Sequence, residues 1–307
     1  MKISFVVIAY NEEENIKNCI SSILSQERLD DYEIIVVNDG SKDRTSGIVN
    51  NFAKINRKIK LIDLKENKGR GYARCSGVRN AKGDYIAFVD ADIILSKNWV
   101  RKCMKKIREG FDATGGIAVP DGDAIYFHKT FKIEPKLLVH TTEITGSNGF
   151  YKKGLFSRTS FNSNMREGED FDFNSRIKNQ GYNLQRVENL IVKHNENKHY
   201  LSTLKWMYRS GFGATKLFLK HKKIRIPDLA FFGFFCLFLA AIMGSLVLKT
   251  HLLFLLFLIY PLLTSLLHVK SRFYFHLKKM RGFLLAVLAN YPLIFSYYIG
   301  RIIGFLK

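Results

Sequence analysis

Two carboxylates one residue apart, Asp90-Ala91-Asp92, close the apolar run Tyr85-Ile86-Ala87-Phe88-Val89. A buried strand that ends in acidic residues delivers them to the rim of its sheet, the edge where open α/β folds bind ligands. A hard divalent cation takes such oxygen ligands and bridges them to substrate phosphates. An Asp-rich strand-to-helix turn, with Ser96 capping the next helix, accounts for the same residues, so the pair alone leaves both readings open. Three other polar loops stand in the same relation to an apolar run: Tyr10-Asn11-Glu12-Glu13, Asn38-Asp39-Gly40-Ser41-Lys42-Asp43 and Asn67-Lys68-Gly69-Arg70-Gly71. Glycines there let a ligand approach the backbone, and Lys68, Arg70 and Arg74 are of the type that neutralises phosphate. Farther along, Glu169-Asp170 opens a stretch of helical pattern. A carboxylate beside a like charge suits general-base work, and an Asp at a helix start equally suits capping.

These loops need a frame that brings them to one edge. Ile3–Tyr10, Glu33–Asn38, Lys60–Leu64, Tyr85–Asp90 and Ala113–Val119 read as strands, mostly continuous and therefore buried on both faces. Asn11 with Glu14 resembles a capping box, followed by Ile16, Ile20, Ile23 and Leu24 at helical spacing. Trp99, Cys103, Met104 and Ile107 mark another helix. Phe171–Tyr182 carries Phe173 and Ile177 and ends at Gly181. Strand–helix alternation predicts an α/β fold with a mostly parallel sheet and right-handed crossovers. No G-x-G-x-x-G follows the first strand, which argues against a dinucleotide-binding oxidoreductase.

The 307-residue chain carries 48 Lys+Arg against 27 Asp+Glu, a net charge of +21. Much of the positive charge brackets late apolar tracts: Lys216, Lys220, Lys222, Lys223 and Arg225, then Lys270, Arg272, Lys278, Lys279 and Arg281. That placement fits membrane electrostatics and not a nucleic-acid groove. Apolar segments at 229–248, 252–269 and 283–303 follow, the first two of bilayer length. The third holds Asn290 and Pro292 and either spans or lies at the interface. The positive-inside rule puts both basic blocks in the cytoplasm and the short Lys249 turn outside. The expected organisation is a catalytic domain over 1–224, ending in an amphipathic juxtamembrane stretch at 200–224, and a membrane region over 225–307. Residues 200–218 could lie in the headgroup layer or pack under the sheet. Cys19, Cys75, Cys103 and Cys236 have no metal-type spacing and read as reduced thiols. Ile3–Ala9 is too short for a signal core.

Taken in order, Phe5-Val6-Val7-Ile8-Ala9-Tyr10-Asn11-Glu12-Glu13, Val36-Val37-Asn38-Asp39-Gly40-Ser41-Lys42-Asp43, Asp90-Ala91-Asp92 and Gly168-Glu169-Asp170 resemble the family 2 glycosyltransferases of the GT-A fold. The resemblance covers residues 3–196 and implies a metal-assisted, inverting sugar transfer from a nucleotide-sugar. It implies that Tyr10 and Glu12 line the nucleoside pocket and that Asp39 hydrogen-bonds the base. Asp90 then reaches the ribose or a metal-bound water, and Arg70 and Arg74 add charge at the diphosphate. Asp92 and His194 are implied as ligands of Mn²⁺ or Mg²⁺, and Asp170 as catalytic base. Gly146 and Asn148, in Gly146-Ser147-Asn148-Gly149, fall on the acceptor side together with Glu169.

A base argues for a hydroxyl acceptor, and the membrane region for one carried on a lipid at the cytoplasmic leaflet. The expected partners are therefore a UDP- or GDP-sugar donor, a lipid-linked saccharide or glycolipid acceptor, and the membrane. The alternative is a polyprenyl-phosphate glycosyltransferase, whose anionic acceptor needs no base. A scaffold that had lost activity would not keep Asp39, Asp90, Asp92 and Asp170. No Gln-x-x-Arg-Trp motif follows Asp170, which argues against a processive synthase. Segment 120–145 carries no motif that names its role.

Overall fold

A computed structural model of the chain describes residues 1–27, 29–121, 144–195, 200–248, 253–272 and 280–306. They divide into two units, residues 1–121 with 144–195, and residues 200–306. The division places residues 200–224 with the late helices, whereas the sequence attaches them to the end of the catalytic domain. Most of segment 120–145 lies outside the described residues.

The first unit is built on one sheet. Its strands are β1 (Ile3–Ala9), β2 (Tyr32–Asn38), β3 (Ile59–Asp63), β4 (Tyr85–Asp90), β5 (Ile93–Ile94), β6 (Ala113–Pro120), β7 (Gly149–Lys152) and β8 (Leu184–His194). They lie in the order β3-β2-β1-β4-β7-β6-β8-β5. The β1, β2, β3 and β4 pairings are parallel, and so is β6 with β8. Antiparallel β7 joins the two parallel sets, and β5 runs antiparallel to β8. The sheet is therefore mixed, with β1 to β4 forming its continuous parallel part.

Alternation along β1 shows how the core is split. Ile3, Phe5, Val7 and Ala9 pack with α1 (Ile16–Leu24), α2 (Thr45–Ile55) and α4 (Trp99–Arg108) on one face. Val6 and Ile8 face the opposite side, with Ala73 of α3 (Arg70–Asn80) and Phe173 and Ile177 of α5 (Glu169–Asn179). A strand buried on both faces reads as a nearly continuous apolar run, and the one polar residue of β1, Ser4, is buried with its hydroxyl bonded to Glu33. Gly77 brings α3 against the sheet so closely that a Cβ there would collide with the Val6 side chain.

Two local expectations need correction. Helix α1 starts at Ile16, not after Asn11, and no capping box forms. Asn11 instead adopts a left-handed φ of 56°, and its Oδ1 accepts a 2.8 Å bond from the Lys42 N–H. A short polar side chain tolerates that conformation by bonding to nearby backbone. Helix α4 starts at Trp99 with Asn98 at its cap position; Ser96 lends its carbonyl to the Trp99 N–H at 2.9 Å and its hydroxyl to Asn98 Oδ1 at 3.2 Å.

Glu33 on β2 is buried, yet it accepts from Ser4 Oγ at 2.8 Å, from the Lys82 N–H at 2.6 Å and from Lys60 Nζ at 3.0 Å. Burial pushes its carboxyl up, but these three donors outweigh burial and hold it below the usual range. A depressed carboxyl contributes stability that is present above its unfolded pKa and is lost as pH falls through the folded value. Glu33→Gln is expected to cost about 1–2 kcal/mol at neutral pH. The gap from the native chain should close as pH falls through the depressed native value, where the native carboxyl protonates too, as read by thermal unfolding across pH.

The second unit contains α6 (Tyr200–His221), α7 (Ile226–Leu248), α8 (Leu253–Arg272) and α9 (Met280–Leu306). Two stretches among the described residues, Ile226–Leu246 and Met280–Leu306, are long and apolar enough to cross a membrane, with mean hydropathy 2.3 and 1.5. Leu229, Leu237, Leu239, Met243 and Leu246 of α7 are exposed, an apolar surface of the kind that marks a membrane-facing element.

Candidate active site

The loops expected to share an edge do so. Helix α3 starts at Arg70 behind Gly69, whose φ of 91° an L side chain rarely adopts. Asp39, at the end of β2, fixes that start: its Oδ1 accepts from the Lys68 N–H at 2.8 Å and its Oδ2 from the Gly69 N–H at 2.9 Å. Burial raises the Asp39 carboxyl, and the two amides pull against that shift. Both of its oxygens are thus engaged by backbone. Asn38 ties the same corner by donating to Asp63 Oδ1 at 2.7 Å. Tyr10 is exposed beside this corner, and the Glu12 N–H donates to Thr45 Oγ1 at 2.8 Å.

The acidic pair divides. Asp90, the last residue of β4, accepts from Arg74 Nη2 at 3.0 Å. Asp92 lies 3.1 Å through Oδ2 from His194 Nε2. Antiparallel pairing creates that meeting, since β5 sets Ile93 opposite His194 and the Asn195 N–H donates to the Asp92 carbonyl at 2.8 Å. The two residues are 102 positions apart in the chain.

Arg74 is the hub of the other half. It is fully buried, and its guanidinium donates to Asp90, to Glu169 Oε1 at 3.1 Å and to the Gly146 carbonyl at 2.7 Å. It also lies over the Phe88 and Phe161 rings at 5.5 and 5.9 Å. Burial disfavours its charge, but Asp90, Glu169 and Asp170 outweigh burial and keep it protonated. Glu169 is buried as well. Burial raises its carboxyl against the pull of Arg70 and Arg74, and its Oε2 has no hydrogen-bond partner among the described residues. Arg70 pairs with Glu167 and lies 3.9 Å from Glu169.

Asp170, at the start of α5, is only partly buried. Its Oδ2 accepts from the Gly146 N–H at 2.8 Å and its Oδ1 from the Phe171 N–H at 2.9 Å. Gly146 therefore touches Asp170 with its amide and Arg74 with its carbonyl. A side chain at Gly146 would press on the Arg74 guanidinium, 2.6 Å away. Asn148 is buried, and its Oδ1 accepts from the Gly116 N–H at 2.6 Å, so it ties the loop to β6 and presents no free amide oxygen.

The structure thus brings Arg74, Asp90, Gly146, Glu169 and Asp170 into one network and pairs Asp92 with His194. Two residues escaped the sequence reading. Glu167 takes Arg70, and Arg166 packs its side chain against Gly69. The signal for both was the charge-dense run Arg166-Glu167-Gly168-Glu169-Asp170 directly before a helix.

Residues 4–164 match the family model for glycosyl transferase family 2. The chain belongs to glycosyltransferase family 2. It is 37% identical over 114 residues to EpsH of Bacillus subtilis, an alignment covering 36% of this chain and 31% of that protein. It is 28% identical over 223 residues to the B. subtilis glycosyltransferase EpsJ, covering 66% of this chain and 63% of EpsJ. The chain thus spans less than two thirds of either relative. The fold is that of the GT-A transferases: the mannosyltransferase PcManGT of Pyrobaculum calidifontis, solved with GDP-Man and Mn²⁺, superposes with a TM-score of 0.62 at 16% identity, over 98% of this chain and 86% of that one. The family match places a glycosyl transferase family 2 domain over residues 4–164, and the apolar helices that follow fit association with a membrane.

Proposed function

We propose that the chain transfers a sugar, with inversion, from a nucleoside diphosphate sugar to a hydroxyl of a lipid-linked saccharide or glycolipid at the cytoplasmic face of a membrane. The observation that carries this reading is the partly exposed Asp170 carboxylate, held by two backbone amides one helix start away from the buried Arg74–Glu169 pair.

Asp170 takes the proton of the acceptor hydroxyl as that oxygen attacks the anomeric carbon. The bond from the anomeric carbon to the diphosphate breaks with its electron pair on the departing nucleoside diphosphate. Asp92 and His194 would hold the divalent cation. One carboxylate oxygen facing one imidazole nitrogen at 3.1 Å is a donor set suited to Mn²⁺ or Mg²⁺. No cluster of three or more His, Cys, Asp or Glu side chains of metal-binding type occurs among the described residues. When bound, the cation stabilises the charge developing on the leaving diphosphate. Arg70, partly exposed beside Glu167, adds positive charge on the same side, and Tyr10 is open to receive a nucleobase. Arg74 acts through its neighbours, by fixing Gly146 and Asp90. The mannosyltransferase neighbour holds GDP-Man and Mn²⁺, and TarS of S. aureus, with a TM-score of 0.52 at 19% identity, holds UDP-GlcNAc. Both donor classes are therefore candidates.

The test is a screen of UDP- and GDP-sugars with Mn²⁺, using washed membranes and a lipid extract, with mass spectrometry of the lipid product. A sugar added to a hydroxyl of a lipid-linked glycan is expected. Transfer to a polyprenyl phosphate alone would overturn the acceptor assignment. Chelation with EDTA is expected to abolish turnover, and Asp92→Asn to raise the Mn²⁺ concentration for half-maximal rate at least about tenfold. An EDTA-insensitive rate would remove the metal role of Asp92 and His194.

A further inference from the structure

We propose that α9, although apolar and long enough to span, lies in the membrane plane beside α6, so that the two form a platform in the headgroup layer. The two helices run parallel and touch along most of α6. Tyr200 OH donates to the Ala289 carbonyl at 2.9 Å, Ser296 Oγ to the Leu204 carbonyl at 2.9 Å, and Thr215 Oγ1 to the Arg301 carbonyl at 3.0 Å. Glycines set the backbones in contact. A Cβ at Gly211 would collide with the Tyr297 carbonyl, and one at Gly300 with the Tyr208 carbonyl. Gly300 and Gly304 form the small-residue spacing that lets membrane helices pack this closely. Helices joined so tightly in a common direction share one depth and one tilt.

That depth is set by α6. Lys205, Arg209 and Lys216 are exposed on it and divide it so that no uncharged stretch approaches the length of a bilayer core. Charges carried to the bilayer centre are strongly disfavoured. In the plane, the same side chains reach lipid phosphates while the apolar positions sink. A groove of about 590 Å³ lined by Lys205, Tyr208, Arg209 and Ile299 offers the phosphates a place to sit.

Both ends of α9 point to the same face. Its last turns are pinned to the first turn of α7, where Arg301 Nη1 bonds Asp228 Oδ1 at 2.5 Å and Arg225 Nε bonds Asp228 Oδ2 at 3.1 Å. The Phe231 and Phe305 rings stack there at 5.9 Å. This turn follows the basic block 216–225, and α9 itself begins in the basic block 270–281. The positive-inside rule assigns both blocks to one side. A helix whose two ends return to one face does not cross.

The test uses the full chain. Reporters that fluoresce only in the cytoplasm or act only outside it are fused to the N-terminus and, separately, to the C-terminus. Both termini are expected on the same side, and a C-terminal reporter on the opposite side would overturn the proposal. Spin labels at Leu284, Leu288, Ile299 and Phe305 are then read by oxygen and nickel collision in phosphatidylethanolamine–phosphatidylglycerol nanodiscs. The background is Cys75→Ala, Cys236→Ala, since Cys19 and Cys103 are buried. Level, shallow depths are expected, whereas depths passing through the bilayer centre between Leu288 and Ile299 would show a spanning helix. Neither readout depends on sugar transfer.

Discussion

Asp170→Asn is expected to lower kcat about 10³-fold, within the range that a positioned general base contributes, while donor binding changes by no more than a few-fold. The split follows from where the carboxylate sits. It accepts from the Gly146 and Phe171 amides, while Asp92 pairs with His194, so loss of the Asp170 carboxylate removes a proton acceptor and leaves the donor side in place. An asparagine keeps one acceptor oxygen for these amides and turns its NH₂ toward the other. Thermal unfolding of the variant therefore serves as a control, with a shift of a few degrees expected for one lost hydrogen bond. Calorimetry with donor and Mn²⁺ measures the binding half. A folded variant that binds donor and turns over within a few-fold of the native chain would place the base elsewhere.

Arg74→Met is expected to be the most destabilising single substitution near the site, at about 3–5 kcal/mol. The guanidinium is fully buried and is the shared partner of Asp90, Glu169 and the Gly146 carbonyl. Methionine approximates its volume but leaves Glu169 as a buried charge, with Oε2 already lacking a hydrogen-bond partner among the described residues. The pH dependence has a definite sign. Burial already raises Glu169 in the native chain, and removing Arg74 raises it further. The folded variant then binds a proton that the unfolded chain has released, so its stability falls as pH rises through that interval. The deficit should be larger at pH 8 than at pH 5 when unfolding is followed by heat. Glu169→Gln in the same chain should restore part of the loss, and a double-mutant cycle isolates the coupling. Additive effects would mean that the two side chains are not partners.

Much of the half built on β1 to β4 was legible in the sequence because its signals are local. Apolar runs buried on both faces, each ending in a polar loop, mark β1, β2, β3 and β4, and parallel pairing sets those loops on one edge whatever the side-chain detail. The capping box at Asn11 failed for an equally local reason. A left-handed Asn11 bonded to the Lys42 amide competes with the helix start, and sequence spacing does not weigh the two. Arg74 has the charge of a phosphate ligand, and only the packing of α3 against the loop at Gly146 shows that it also bonds Asp90, Glu169 and the Gly146 carbonyl.

What the sequence alone determined is five of the eight strands (β1, β2, β3, β4 and β6), the order of their polar loops, the family resemblance and the change to apolar helices after Arg225. The short or antiparallel β5, β7 and β8 carry no continuous apolar run that marks them. The tertiary structure decided which of those residues meet. Asp92 finds His194 through the β5–β8 pairing, Asp170 finds the Gly146 amide at the short turn before β7, and α9 finds α6 through glycines on both helices. Periodicity reports which face of an element is buried, because that repeats every two or 3.6 residues. Contacts between elements far apart in the chain have no such repeat, and they appear only once the sheet order and the helix crossings are fixed.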